Sequence, residues 1–92
     1  MDYETSMKEL KKVLKDQKWI IGADKALKGL KSGKIDKLFI AKNCKPTIKE
    51  DLERYSKFAN VPFYELDVPN TELGIMCKRQ YSVSVLYTLK GE

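Results

Sequence analysis

Lysines at positions 25, 28 and 31 recur at every third residue beyond a glycine, in the stretch Ile20-Ile21-Gly22-Ala23-Asp24-Lys25-Ala26-Leu27-Lys28-Gly29-Leu30-Lys31. A glycine that opens a helix lets an anionic group approach the first backbone N–H groups at the positive end of the helix dipole. Other polar groups also follow apolar runs: Asn43-Cys44-Lys45-Pro46, Asn70-Thr71-Glu72, and Tyr81 beyond the basic pair Lys78-Arg79. Lysine meets phosphate, asparagine offers a donor and an acceptor to a base edge, and tyrosine offers an aromatic face to a splayed base. Together these are the chemistry of RNA recognition. Each also has a plainer reading: Gly22 as a tight strand-to-helix turn, Asn43 as a turn former, Asn70 as a helix cap, Tyr81 as a half-covered strand residue. The RNA reading depends on the groups converging on one edge of a sheet.

The elements that must position them follow from apolar spacing. Met7, Leu10, Val13, Leu14 and Gln17 mark one face of a helix over residues 4–17, with Ser6 and Glu9 as a capping box. Lys18 to Ile21 is a short strand. Ala23, Ala26, Leu27 and Leu30 form the buried stripe of a second helix, closed by Ser32-Gly33 with glycine in the left-handed cap position. Lys37 to Ala41 is a strand whose continuous apolar centre suits burial on both faces. Thr47 and Glu50 suggest a second capping box, with Pro46 just before or at the first turn, at the start of a helix whose inward face is Ile48, Leu52, Tyr55, Phe58 and Ala59, stopped by Asn60 and Pro62. Pro62 to Leu66 is a third strand, residues from Asn70 or Thr71 to Cys77 a short fourth helix, and Tyr81 to Leu89 a final strand with Val83, Val85, Tyr87 and Leu89 on one face. The alternation α-β-α-β-α-β-α-β implies one mostly parallel or mixed sheet with helices on both faces.

Composition bounds the function. A chain of 92 residues fits one domain, spanning 1–92, and 42% apolar with 34% charged residues is a globular mixture, not a disordered one. Residues 1–45 hold twelve lysines against six acids, whereas residues 46–92 hold six basic residues against seven acids. This asymmetry suits a polyanionic partner such as nucleic acid or a ribosome surface; a lysine-rich solvated face is the alternative. There is no histidine, and Cys44 and Cys77 form no CxxC pair, which removes His-based triads, imidazole metal sites and zinc fingers and leaves two free thiols as the expectation. No P-loop, nucleophile elbow or GxGxxG is present, so no enzyme activity and no cofactor are expected. No segment approaches the length of a membrane span and no charged-then-apolar leader opens the sequence, so a cytosolic protein is expected. A protein-interaction adaptor with an acidic partner remains a separate reading.

Several motifs, in order, resemble a known family. They are Ile21-Gly22 with Lys25 and Lys28, Ser32-Gly33-Lys34, Ala41-Lys42-Asn43 with Pro46, Lys49-Glu50-Asp51-Leu52-Glu53-Arg54-Tyr55, Val61-Pro62-Phe63-Tyr64, and Glu72-Leu73-Gly74. Over nearly its whole length the chain resembles the archaeal and eukaryotic large-subunit ribosomal proteins "L thirty, e-type", within the wider L-seven-Ae kink-turn-binding superfamily. The resemblance implies a three-layer α/β/α sandwich with a single four-stranded mixed sheet, binding a kink-turn or similar internal loop of ribosomal RNA. It implies that Gly22, Lys25 and Lys28 face RNA, that Asn43 reads a base, that Asn70 and Thr71 add contacts, and that Tyr81, Ser82 and Val83 pack against an extruded base. Neighbouring ribosomal proteins would be further partners, with no membrane contact and a monomer off the ribosome. A kink-turn-binding part of a small RNA-modification ribonucleoprotein is the alternative within the superfamily. The chain departs from the family at Asp24, where many members have a basic residue, at Ser82, where eukaryotic members have arginine, and at Lys78, which replaces a common glycine.

Overall fold

The computed structural model describes residues 3–16 and 19–89. The elements are α1 (Tyr3–Asp16), β1 (Trp19–Ile21), α2 (Ala23–Ser32), β2 (Ile35–Ile40), α3 (Pro46–Ala59), β3 (Phe63–Glu65), α4 (Asn70–Met76) and β4 (Val85–Leu89). Expectations for Gln17 and Lys18 lie outside the described residues. The four strands form one sheet in the order β1-β4-β2-β3. β4 runs antiparallel to both β1 and β2, while β2 and β3 are parallel. So β1, β2 and β3 point the same way, and their C-terminal ends share one edge with the start of β4. That edge is called the upper edge below.

Strand alternation divides the core into two layers. On β2, Leu38 and Ile40 pack with Ala26, Leu30 and Leu52 of α2 and α3. Phe39 points the other way, and packs with Leu10 and Val13 of α1 and Leu73 of α4. β4 is divided likewise, with Val85 and Tyr87 on the α2/α3 side and Leu86 on the α1/α4 side. The result is the expected α/β/α sandwich, with a mixed sheet in the middle. Cys44 belongs to one layer and Cys77 to the other, so the sheet lies between the two free thiols. Burial pushes both thiols up from their ordinary pKa.

Four local expectations are corrected. Ser6 is not a cap: it lies inside α1 and is buried. Thr47 is not a cap either: Pro46, with its φ already fixed, takes the first helical position of α3, one of the two places expected for it, Lys45 is the N-cap and no side chain caps the end. Phe58 is 81% exposed, and the inward position belongs to Ser56, whose hydroxyl donates to the Glu53 carbonyl at 2.7 Å. Residues 52, 55, 56 and 59 keep the three-four spacing of one face, and 58 falls off it. β4 begins at Val85 rather than Tyr81, since the preceding residues bond to loops: Val83 N–H donates to the Asn70 carbonyl at 3.0 Å, and Ala41 N–H to the Ser84 carbonyl at 2.9 Å. Leu89, at the end of that strand, is exposed.

Candidate nucleic-acid interface

The upper edge is built from four chain segments, each fixed by what precedes it. β1 ends at Ile21, and Gly22 turns the chain into α2 with φ 136° and ψ 131°, a conformation that side chains rarely adopt. Gly22 N–H donates to the Val85 carbonyl at 3.2 Å, and its carbonyl accepts from Ala26 at 3.1 Å. The start of α2 is therefore held against β4 while carrying no side-chain cap. Lys25 and Lys28 stand exposed on its outer face, off the buried stripe of Ala26 and Leu30.

β2 runs into Ala41-Lys42-Asn43, and β3 into the turn that leads to Asn70. These two loops are joined: Lys42 N–H donates to the Val68 carbonyl at 2.8 Å. Asn43 Oδ1 accepts from the backbone N–H of Asn70 at 2.7 Å, and Asn43 Nδ2 donates to Asn70 Oδ1 at 3.1 Å. Because a backbone N–H can only donate, the first of these bonds fixes which end of the Asn43 amide is oxygen. Asn43 thus caps α4 from another loop, and Asn70 is not the cap of its own helix. Asn70 Nδ2 continues the chain of bonds to Ser84 Oγ at 3.3 Å. One Nδ2 hydrogen of Asn43 remains for a ligand, on a side chain that is exposed.

The fourth segment approaches α4 where Gly74 leaves room. A Cβ at Gly74 would lie 2.2 Å from the Tyr81 carbonyl oxygen, so only glycine permits this contact. Tyr81 is 59% exposed, and Ile75, 73% exposed, stands beside it. With Thr71 and Ser82 these residues line a hollow of about 180 Å³. The hollow offers an apolar and aromatic floor next to hydroxyl groups, which suits a flat base better than a phosphate.

Of the residues singled out from sequence, Gly22, Lys25, Lys28, Asn43, Asn70, Thr71, Tyr81 and Ser82 all border or flank this edge. Val83 does not present its side chain there. It is 1% exposed, packed in the α1/α4 layer, so it fixes the segment from beneath instead of packing against a base. Sequence reasoning missed Ser84 and Ile75, and gave no reason for Gly74. Ile75 had a signal, since it lies off the face formed by Leu73 and Cys77. Ser84 had none, because its partner is 14 residues away.

Among the described residues no group of three or more His, Cys, Asp or Glu side chains is placed to hold a metal ion, and no helix is long and apolar enough to cross a membrane. Residues 4–92 match the family described as "Ribosomal protein L7Ae/L30e/S12e/Gadd45 family". The chain is 36% identical over 78 residues to the large ribosomal subunit protein eL30 of Sulfolobus acidocaldarius, covering 85% of this chain and 75% of the relative. It is 36% identical over 69 residues to that of Methanosphaera stadtmanae, covering 75% and 70%. Among solved structures, the Giardia lamblia 15.5kD RNA binding protein superposes with a TM-score of 0.76 at 24% identity, over 100% of this chain and 79% of the other; that likeness is one of fold.

Proposed function

Since the chain belongs to the Ribosomal protein L7Ae/L30e/S12e/Gadd45 family, we propose that it is a non-enzymatic component of the large ribosomal subunit, archaeal in type, that binds ribosomal RNA at the upper edge of its sheet. The RNA element is a kink-turn or a similar internal loop. The observation that most supports this reading is the joining of Asn43, Asn70 and Ser84 across three loops, beside the uncapped start of α2. Phosphates approach Gly22, Lys25 and Lys28, which supplies affinity and salt dependence. The free Nδ2 hydrogen of Asn43 donates to a base edge, and Thr71 and Ser82 add hydroxyls. An extruded base lies on Tyr81 and Ile75, which a fully paired duplex cannot provide. Neighbouring ribosomal proteins complete the environment on the cytoplasmic ribosome, and off it the protein is a monomer.

The test is a titration with a kink-turn RNA and with its fully paired duplex, at low and physiological salt. Tight kink-turn binding that persists at physiological salt, with much weaker duplex binding, is expected. Equal and salt-labile binding to both would reduce the lysines to a general polyanion surface and end this reading. Lys28→Ala lowers affinity and flattens the salt slope by about 0.7–0.9, the share of one phosphate contact. Co-purification with methylation-guide RNA instead of ribosomes would move the protein to a modification ribonucleoprotein, and salt-insensitive binding to an acidic protein without RNA binding would make it an adaptor.

A further inference from the structure

Beside the upper edge, α1, β1 and the end of α4 enclose a cleft of about 540 Å³. Lys15, Lys78 and Arg79 line it, and no acidic side chain does among the described residues. None of the three cations has an ion-pair partner among the described residues, whereas Glu9, Asp51, Glu53, Glu65 and Asp67 neutralise lysines or arginine elsewhere. The Arg79 guanidinium lies over the Trp19 ring, 5.1 Å from its centroid, an attraction that favours this position. Arg79 also lines the hollow under Tyr81, so the cleft and the hollow are neighbours that share this side chain. Lys78 adopts φ 59°, in the left-handed region that favours glycine. A lysine held there puts a charge at the cleft mouth at some cost to the backbone.

We propose that this cleft is a second RNA contact, taking a single-stranded segment that flanks the internal loop. The proposal rests on the RNA reading of the upper edge. Its chemistry is complementary to such a strand: unpaired cations for two or more phosphates, and a guanidinium beside an aromatic ring on which an unpaired base stacks. A volume of about 540 Å³ lies in the range of clefts that enclose one small ligand, about 300–1,000 Å³, and so fits a nucleotide of an open strand rather than a helix.

The experiment compares a minimal kink-turn RNA with the same RNA carrying a short oligouridine tail on its 5′ or its 3′ end, binding the unaltered chain and Lys15→Ala/Lys78→Gly. Both substitutions are on exposed side chains, and glycine at position 78 relaxes the backbone, so the variant folds; its thermal unfolding is recorded beside the titration. One tail tightens binding by roughly tenfold, through phosphates at Lys15 and Lys78 and a base on Arg79, and steepens the salt slope by about 0.7 per phosphate engaged. The variant, which keeps Arg79, loses the added salt slope and the phosphate share of the gain, and keeps the affinity for the minimal RNA. If neither tail tightens binding, or if the variant keeps the whole gain and its added salt slope, the cleft is not an RNA contact and the upper-edge reading is untouched. If the minimal RNA is not bound but tailed RNA is, and the variant abolishes it, the cleft stands and the upper-edge reading falls. If neither RNA is bound, both fall. A gain that poly-glutamate competes away as readily as oligouridine would assign the cleft to polyanions at large and overturn its commitment to RNA.

Discussion

The two edges of the sheet are closed in different ways. At the lower edge α2 and α3 end on single residues with left-handed backbone, Gly33 at φ 69° and Asn60 at φ 55°, whose N–H groups return to carbonyls three or four residues back. Those closures are local and need only the helix they terminate. At the upper edge the bonds join distant residues: Asn43 and Asn70 are 27 apart, Asn70 and Ser84 are 14 apart, and Gly74 admits the Tyr81 carbonyl. These closures exist only once the sheet has assembled. The contrast teaches where the proposed binding edge gets its rigidity. Local caps end helices and leave their surroundings free, whereas long-range bonds fix several loops relative to one another, which is what a multi-point RNA contact requires.

The largest break in that contrast should come from Gly74→Ala. Alanine favours a helix over glycine by about 1 kcal/mol, yet its Cβ would meet the Tyr81 carbonyl at 2.2 Å. Backbone cannot swing aside as a flexible side-chain tip can, so the clash decides the sign. A net loss of about 1–3 kcal/mol is expected, as for overpacking, read as a lower urea midpoint. Kink-turn affinity should fall with it, because the 81–82 segment is displaced. A variant with unchanged stability and RNA affinity would show that this segment is not held by α4.

Asn43→Ala comes next. It removes the bond to Asn70 N–H and the bond to the Asn70 side chain, at a partly solvated site where a bond is worth about 1 kcal/mol. Stability should drop by roughly 1–2 kcal/mol. Discrimination between kink-turn and duplex should narrow more than duplex binding weakens, since both the hydrogen proposed to read a base and the clamp are lost. Full retention of discrimination would leave Asn43 as a cap alone.

Gly33→Ala sharpens the comparison from the other side. A Cβ there meets nothing within 4 Å, so the cost is the left-handed backbone alone, about 1–2 kcal/mol. Stability should fall by an amount similar to that of Asn43→Ala, while RNA affinity under folding conditions stays unchanged. Two variants of like stability and unlike binding would separate the edges experimentally. Equal loss of RNA binding in both would mean that the edges are not independent.

This division also explains what could be read before the structure. Gly33 and Asn60 are legible because their reasons lie within one turn of helix. The two core layers are legible because alternation on β2 and the stripe on α2 are periodic. The Ser/Thr-x-x-Glu motifs at Ser6 and Thr47 mislead because such a motif also fits inside a helix: Ser6 lies within α1, and Thr47 follows Pro46, which is already the first helical residue. The start of β4 is not legible because Ser82 and Val83 look like strand residues, yet their backbone is committed to α4 and its loop. Asn43 and Asn70 were singled out for their amides, but their bond to one another, and its extension to Ser84, belongs to topology. No window of sequence contains it.

The smallest expected effect tests the lower part of the sheet by pH. Glu9 of α1 accepts from Lys37 Nζ of β2 at 2.9 Å, pinning the helix across the sheet. That hydrogen bond, then the Lys37 charge, holds the Glu9 carboxyl below its ordinary value of 4.5. The same hydrogen bond raises Lys37 above its ordinary 10.5. A lowered acid contributes stability that is full above 4.5 and is lost as the pH falls through the folded value. A raised base contributes stability that is full below 10.5 and is lost as the pH rises through its folded value. Glu9→Gln should therefore lower the urea midpoint slightly and by a constant amount between 4.5 and 10.5, with the difference from the unaltered chain shrinking outside that window. The pair is partly solvent-exposed, so the offset is small and diminishes in salt. RNA binding should not change at any pH within the window, because the pin holds α1 and touches none of the upper-edge loops. A variant whose deficit persists undiminished well into acid would show that Glu9 acts through packing and not through its charge.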